Sequence, residues 1–502
     1  MSTAMPTLLR PSIAAASTQR ACARTRRAFA ASLVISIGGF CAPALADLRA
    51  LQFTNPIEQA AALANQGAYD RLSSGASPIC DPESREPSGS CTGVVFQTFA
   101  NVRELVETAN GLSNSGSTTF SLGLNQQELG FALRWTAPEE LAAQGSAATQ
   151  FTNSQLGSLA SRISALRMSA LGRTAHNDRH GGSLWALGGG ASADDSIAKR
   201  WGGFVNGAYG YGRKDDTTDP FGTSGTSGAE DAFDFDGREV TLGIDYRLRD
   251  NLVFGALLGF SDRRVDFDSA ASIVDGDIDT DGSSLIIFAL WESDRFYVSG
   301  SVGGQWLGYD LSRRITFPSH TAVESVDATA TSNTDSDTLT GTLNAGVNLT
   351  AGGFTFEPYA KADYQSVRVD AFAEQGTTGF ELGYDQQDIK SFELAAGIKL
   401  QRVFSVPFGV IVPYARAELR KQLEDDRRTI SATYAGLPAG GGVAGQDFNL
   451  ATDQHDDQYT VIAGGCSVVF KHGLQGFLQY QQVLDLETIT ERVIAAGVRL
   501  EF

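Results

Sequence analysis

Residues 240–248 read Val-Thr-Leu-Gly-Ile-Asp-Tyr-Arg-Leu, so an apolar side chain occupies every second position. This period of two is typical of a β-strand with one apolar face. Twelve such runs follow one another, at 201–212, 237–249, 251–264, 281–292, 294–311, 337–350, 353–369, 389–402, 406–422, 456–471, 473–484 and 488–502. Most have 11 to 18 residues, and a tilted transmembrane strand needs about 9–11. These runs are therefore long enough to cross a bilayer.

Short and long connections alternate between the runs. The short ones fall after the even-numbered runs, at 250, 293, 351–352, 403–405 and 472. The long ones fall after the odd-numbered runs and are mostly acidic, at 213–236, 265–280, 312–336, 370–388 and 423–455. Outer-membrane barrels have short periplasmic turns and long external loops, whereas soluble all-β proteins seldom sort their loops in this way. We therefore expect an all-β membrane barrel of 12 antiparallel strands, located in the bacterial outer membrane, with both ends of the strand series on the periplasmic side.

The last run ends on an aromatic residue, and its apolar side chains share one parity. Arg499 and Glu501 alternate with them. We interpret this pattern as an outer-membrane targeting signal carried by Ile494, Val498, Leu500 and Phe502.

The first 46 residues have the pattern of a secretory signal peptide. Five Arg and no acidic residue precede an apolar stretch at 28–39, and Ala44-Leu45-Ala46 then gives a small-x-small cleavage site before Asp47. We expect cleavage at this site, directed by Ala44 and Ala46. No later segment has 18 continuous apolar residues, so the sequence predicts no transmembrane helix.

The charge of the chain argues against one class of partner. The formal net charge is -19, and subtracting the five Arg of the signal leaves -24 for the rest (-19 - 5). Binding of nucleic acid requires a basic surface that displaces counterions. We therefore expect no nucleic-acid partner.

Residues 47–137 form a short N-terminal module with helical periodicity. Asn55-Pro56 is a helix start, with a capping residue before a proline in the first turn. Further helices are predicted near 97–112 and 126–134. Cys80 and Cys91 lie eleven residues apart between the first two helices, and an oxidising periplasm would join them in a disulfide. The alternative is a pair of free thiols.

Residues 138–172 are predicted to form one long helix with a mixed surface. At about 1.5 Å per residue it would reach about 50 Å, more than the bilayer core of about 30 Å. Ser, Gln, Asn, Arg162 and Arg167 interrupt its apolar positions, so lipid would reject it but a polar pore would accept it. The alternative is an amphipathic helix packed on the N-terminal module. A connector at 173–200 then leads to the barrel at 201–502.

Residues 200–502 resemble the translocator barrel of autotransporters (type V secretion). The resemblance lies in Phe233-Asp234-Phe235-Asp236-Gly237 and 240–247, followed by residues 251–255, 281–285 and 294–298, which look like the second to fifth strands of that barrel. Residues 153–167 look like the linker helix that threads such barrels, so the resemblance covers about 70% of the chain. It implies that the barrel lets an N-terminal passenger reach the cell surface. A usual passenger has several hundred residues, whereas residues 47–137 look like the helical segment that precedes some barrels.

The sequence contains only weak candidates for catalytic or metal-binding sites. The sequence has no G-x-S-x-G elbow, H-E-x-x-H motif or P-loop. Residues 275–282 imitate the start of a calcium loop, but position twelve would be Phe288, where a bidentate Glu is required. A solvated loop running into the fourth strand is the simpler interpretation, and weak calcium binding at the surface is the alternative. We expect no metal, no cofactor and no catalytic residue. Charges two apart on single strands should face the lumen, where they line a wet pore or bind the linker helix: Asp245 with Arg247, Lys361 with Asp363, and Arg416 with Glu418 and Arg420.

Three functions remain open at this point. The first is an autotransporter barrel that anchors and translocates or displays the short module. The second is a structural or channel-forming barrel without a passenger, and the third is a surface enzyme, which the missing motifs disfavour. The expected partners are outer-membrane lipid, the Sec translocon, periplasmic chaperones and the barrel-assembly machinery, and we expect a monomer.

Overall fold

The structure is a computed structural model. It describes 47–53, 55–74, 78–138, 141, 157, 159, 163, 167, 200–215, 232–267, 275–293, 295–319, 326–424, 429–437, 448–451, 458–470, 474–486 and 489–502. The predicted signal peptide at 1–46, with Ala44 and Ala46, and nearly all of the connector at 173–200 lie outside the described residues.

The described strands are, in chain order, β1 (Trp201–Lys214), β2 (Phe233–Arg249), β3 (Leu252–Phe267), β4 (Gly276–Glu292), β5 (Phe296–Phe317), β6 (Val326–Val347), β7 (Leu349–Ala351), β8 (Phe354–Val369), β9 (Phe372–Ala373), β10 (Leu382–Tyr384), β11 (Gln387–Arg402), β12 (Phe404–Val406), β13 (Gly409–Gln422), β14 (Thr429–Tyr434), β15 (Phe448–Ala451), β16 (Gln458–Phe470), β17 (Leu474–Leu484) and β18 (Ile489–Glu501).

Antiparallel pairing closes all of these strands except β9, β10, β14 and β15 into a barrel. β1 pairs with both β2 and β18, and β8 pairs with both β6 and β11. β7 and β12 continue β6 and β11 into their turns, so the barrel has twelve strands, as predicted. We call the end where β1 begins and β18 finishes the short-turn end, and the opposite end the long-loop end.

Side chains alternate between the two faces of the barrel wall. On β2, Leu242 and Ile244 are more than 40% exposed on the outside, while Thr241 and Asp245 are at most 3% exposed on the inside. The four C-terminal residues interpreted as a targeting signal, Ile494, Val498, Leu500 and Phe502, are all exposed on the outer face. The wall thus offers apolar side chains to lipid and polar ones to the lumen, the arrangement of a membrane barrel.

Several strands are longer at the long-loop end than the sequence predicted. β4 begins at Gly276 rather than at 281. β5 continues to Phe317 rather than ending at 311, and β6 begins at Val326 rather than at 337. The strands were predicted from alternating apolar residues, and this alternation stops where the barrel wall extends beyond the lipid bilayer. Charged pairs on exposed faces continue the pairing there, including Arg314 with Asp327.

Two of the predicted long loops contain a second sheet. β9 and β10 lie within 370–388, and β14 and β15 lie within 423–455; they pair in the order β15-β14-β10-β9. We call this four-stranded unit the mouth sheet. Next to its edge strand β9, Gln375 forms an antiparallel bridge with Thr331 of β6. The prediction of plain loops was wrong here because strands of two to six residues carry too little periodicity to be recognised.

Three helices form the N-terminal module, as predicted. They are α1 (Pro56–Ser73), α2 (Val94–Ser113) and α3 (Gln126–Arg134). The Asn55 side chain caps α1, and Asn125 with Glu128 forms a capping box on α3. No described helix is both long enough and apolar enough to span a membrane.

Candidate functional site

The inner wall of the barrel has three layers. Nearest the long-loop end is an apolar band from six strands, made of Phe233, Phe235, Val265, Phe267, Ile278, Leu307, Tyr309, Val367, Val369 and Ile489. The middle layer is polar, and its charges pair with one another. Lys361 contacts Asp363 at 2.6 Å, and Arg420 contacts Glu393 at 3.0 Å. The third layer, at the short-turn end, holds part of the predicted linker helix.

Leu159 and Ile163 are helical and buried against the inner wall. Their neighbours in this cluster come from β1, β3, β4 and β5, and include Leu257, Ile286 and Phe288. The spacing of four places both side chains on one helix face. The helix therefore lies in the lumen with its apolar side toward one half of the wall.

Arg167 lies one helical turn beyond Ile163 and is 4% exposed. Its guanidinium donates to Glu357 Oε1 at 2.5 Å and to Asn348 Oδ1 at 2.7 Å. It also lies 3.4 Å from the centroid of the Tyr297 ring. All three partners are near strand ends at the short-turn end. Donation to two different side chains combined with stacking on an aromatic ring is a geometry that a planar guanidinium offers and an ammonium does not, so Arg167 anchors this part of the helix to the wall.

The helical module packs on the mouth sheet at the opposite end. One apolar core contains side chains from both parts: Ala61, Leu105 and Leu133 from the module, and Phe380, Leu382, Tyr384, Ile430, Ala432, Tyr434, Phe448 and Leu450 from the mouth sheet and the adjoining loop. Leu141, at the start of the predicted linker helix, belongs to this same core. The module and mouth sheet thus form one folded cap over the long-loop end.

Arg313 and Glu374 form a buried ion pair at the base of the cap. The Arg313 guanidinium donates twice to the Glu374 carboxylate, at 2.6 and 2.9 Å, and also to the carbonyl oxygens of Trp135 and Phe380. Glu374 accepts further hydrogen bonds from Leu382 N and the Tyr384 hydroxyl. The network joins β5, the mouth sheet and the end of α3, and its many partners offset the desolvation of two charges.

A second polar contact joins α1 to the mouth sheet. The Tyr434 hydroxyl donates to Asn65 Oδ1 at 2.8 Å, and Asn65 Nδ2 donates to Thr136 Oγ1 at 3.0 Å. Burial raises the pKa of Tyr434, so its hydroxyl keeps its proton at neutral pH and remains a donor. Asn65 is fully buried, and an unpaired amide there would cost about 1–3 kcal/mol.

Two glycines allow α2 to approach the mouth sheet closely. Gly379 has a φ of +81°, and an added Cβ would lie 2.5 Å from Thr98 N. An added Cβ on Gly436 would lie 2.5 Å from Val94 Cγ1. This close approach lets Thr98 Oγ1 donate to Gly379 O at 2.8 Å and Asn101 Nδ2 donate to Thr378 O at 2.7 Å.

The predicted disulfide between Cys80 and Cys91 is present in the cap. It packs beside Leu72 and Phe99, and Arg103 holds the loop by donating to Pro82 O and Ser84 O.

Replacing Cys80 and Cys91 with serine should lower the stability of the cap by about 3 kcal/mol, the loop-closure entropy expected for a loop of this length. We would measure the urea concentration at which the module becomes sensitive to protease in the purified chain. Cys466→Ser, on β16 of the barrel wall, is the matched control and should leave this midpoint unchanged. An equal midpoint in the double serine variant would contradict the expectation.

The structure places the predicted charged residues in different settings. Asp245, Lys361, Asp363, Arg416, Glu418 and Arg420 line the lumen wall. Asp277 and Asp279 instead lie on the outer part of β4 beside Arg264, at 3.6 and 3.8 Å. The described residues contain no group of three or more His, Cys, Asp or Glu side chains able to hold a metal ion. Sequence reasoning missed Glu357, although it shares the parity of Lys361 and Asp363; it also missed Arg313 and Glu374, which carry no local signal.

Comparison with known proteins agrees with this architecture. A family model described as the Autotransporter beta-domain matches residues 203–481, or 279 of the 502 residues. The chain belongs to this family. It is therefore an outer-membrane translocator barrel.

Related proteins match part of the sequence of this autotransporter. Esterase EstA of Pseudomonas aeruginosa is 25% identical over 243 residues, which cover 48% of this chain and 34% of the relative. An uncharacterized protein in the trpE-trpG intergenic region of Pseudomonas putida is 27% identical over 217 residues, covering 43% and 33%. The match spans about a third of the length of these relatives.

Solved structures with a similar fold include two autotransporter domains. The translocator domain of NalP from Neisseria meningitidis is 17% identical, with a TM-score of 0.46, and the alignment covers 70% of this chain and 98% of that domain. The beta domain of the Bordetella autotransporter BrkA is 14% identical, with a TM-score of 0.41 and coverage of 60% and 99%.

Proposed function

We propose that this autotransporter displays its own helical module, residues 47–137, at the cell surface and holds it there as a fixed cap. The observation that carries the proposal is the shared core of the module and the mouth sheet. In outer-membrane barrels the long loops face the outside, so a module packed on them lies outside the cell.

The order of contacts along the chain supports this path. The module and Leu141 belong to the cap, Leu159, Ile163 and Arg167 lie in the lumen, and β1 begins at the short-turn end. A chain that starts outside, passes through its own barrel and ends in the wall has this order. Assembly by this route would use the Sec translocon, periplasmic chaperones and the barrel-assembly machinery.

Esterase activity is the second candidate, and it is favoured only by the similarity to Esterase EstA. The name belongs to a protein of which the match covers 34%, and the activity of a longer relative need not lie in the matched part. Hydrolysis of a short-chain nitrophenyl ester by the purified chain, lost on replacing a single residue, would support this candidate.

Display can be tested by epitope insertion and protease treatment of intact cells. An epitope inserted at Ser88, in the exposed part of the disulfide loop, should be cleaved while the barrel survives. A control epitope between Gly352 and Gly353, in a short turn, should remain until the outer membrane is opened. Protection of both epitopes in intact cells would overturn display and favour a barrel closed by a module retained inside.

A further inference from the structure

We infer that the mouth sheet is the folding template of the exported module, which acquires its helical fold only in contact with the barrel. This inference rests on the proposed function. In this inference, β9, β10, β14 and β15 do more than cover the long-loop end of the barrel. They supply one wall of an apolar core that the module cannot complete by itself.

The burial of α2 carries the first step. Residues 98–110 are all buried, and they include Arg103, Glu104 and Glu107. A helix buried all round needs neighbours on every side. Within the module, α2 has α1, α3 and the disulfide loop as neighbours; Thr98 and Asn101 face the mouth-sheet loop at 378–380. Without that loop, one side of α2 would be open to water.

Helix α1 depends on the mouth sheet in the same way. Between Ile57 and Leu72, its buried apolar side chains are all alanines, including Ala61, Ala64 and Ala68, which bury little apolar area on their own. The buried aromatic side chains of the shared core, Phe380, Tyr384, Tyr434 and Phe448, come from the barrel. The fully buried Asn65 also finds its hydroxyl donor there, in Tyr434.

The size of the lumen sets the order of events. The lumen encloses the helical Leu159 and Ile163 between its walls, and one helix with side chains is about 10–12 Å across. A module of three packed helices is wider than the single helix found in the lumen, so we expect the module to cross unfolded. The mouth sheet lies at the end where the module emerges, and docking there removes the unfolded chain from the lumen and opposes its return.

The first pair of variants carries substitutions in or beside the mouth sheet, so that the module sequence remains unchanged. Gly379→Val places a side chain against the backbone of α2, while Gly383→Val is the matched control because an added Cβ there meets no atom closer than 3.8 Å. We expect Gly379→Val to raise the rate of module proteolysis on intact cells at least about tenfold, since protease cuts the open population. Gly383→Val should behave as the unsubstituted chain.

A second pair of variants separates docking from strain in the loop of Gly379. Gly436→Val should also expose the module to protease. Adding Val94→Ala removes the atom 2.5 Å from the new Cβ and should restore part of the protection, since Thr98 Oγ1 remains 3.2 Å away. Heat-dependent mobility of the barrel in gels, measured in every variant, reports whether the barrel has assembled.

The outcomes distinguish this inference from the proposed function. Two results in the Gly379→Val and Gly436→Val variants would together support the template. Antibody detects the epitope at Ser88 on intact cells, and protease digests a module that it leaves intact in the unsubstituted chain. A module that stays resistant in both Gly379→Val and Gly436→Val folds by itself, which overturns the template and leaves display standing. An epitope hidden in intact cells without any substitution overturns display itself.

Discussion

Replacing Arg313 with methionine should release the cap from the barrel mouth. The substitution removes four hydrogen bonds and leaves the Glu374 carboxylate buried beside Leu382 N and the Tyr384 hydroxyl. Breaking a buried ion pair by removing one partner costs about 3–5 kcal/mol. The free energy of cap opening should fall by this amount, since the same guanidinium joins β5, the mouth sheet and Trp135.

Native-state proteolysis of the purified chain in detergent would measure this loss. The neighbouring Arg314 provides the control, because it is 46% exposed in its pairs with Asp275 and Asp327. Exposed pairs are worth about 0–1 kcal/mol, so Arg314→Met should have little effect. Equal effects of the two substitutions would mean that the buried network does not hold the cap.

Replacing Arg167 with methionine should loosen the helix in the lumen. The change leaves Glu357 buried without its guanidinium and removes the stacking on Tyr297. Because Lys399 still lies near Glu357, the loss should fall at the lower end of the about 3–5 kcal/mol expected for a broken buried pair, which corresponds to about a 100-fold shift toward a displaced helix. We expect the purified chain to open as an ion channel in planar bilayers far more often than the unsubstituted chain.

The control for Arg167 breaks a different ion pair in the same lumen. Lys361→Met leaves Asp363 without its partner at 2.6 Å, and none of the described contacts of Lys361 involves the helix. This variant should destabilise the wall without raising the frequency of openings. If Lys361→Met and Arg167→Met opened equally often, the conductance would reflect a weakened wall rather than a displaced helix.

The two substitutions act at opposite ends of the path through the barrel. Arg313 lies on β5 at the base of the cap, and Arg167 lies at the short-turn end. Their free-energy effects should therefore add, as expected for distant sites without shared partners. A cap released by Arg313→Met should still leave the lumen closed, because Leu159, Ile163 and Arg167 keep their contacts with the wall.

Much of this architecture follows from short-range patterns. Alternation along residues 240–248 predicted a strand and its lipid-facing side, and the Asn55-Pro56 pair predicted the start of α1. Both predictions succeeded because a strand fixes alternate faces and a helix start needs a capping side chain, whatever the rest of the chain does. Even Glu357 could have been recognised from its parity on β8.

The cap could not be predicted in the same way. Gly379 must be glycine partly because of Thr98, which lies 281 residues away in the sequence, and Arg313 finds Glu374 across 61 residues. The strands of the mouth sheet have two to six residues, too few to establish a period.

The sequence by itself determined the twelve-stranded barrel, the faces of its strands, the three helices and the membrane in which the barrel lies. Each follows from the residue periodicity and the turns within short segments. The bilayer then favours strands of sufficient length with an apolar outer face. Only the tertiary structure decided that loops and helices share one core, that Arg167 is held by Glu357, and that glycine is required at 379. Those features depend on side chains that meet in space after the barrel has closed, and no local pattern records which distant partner each of them will contact.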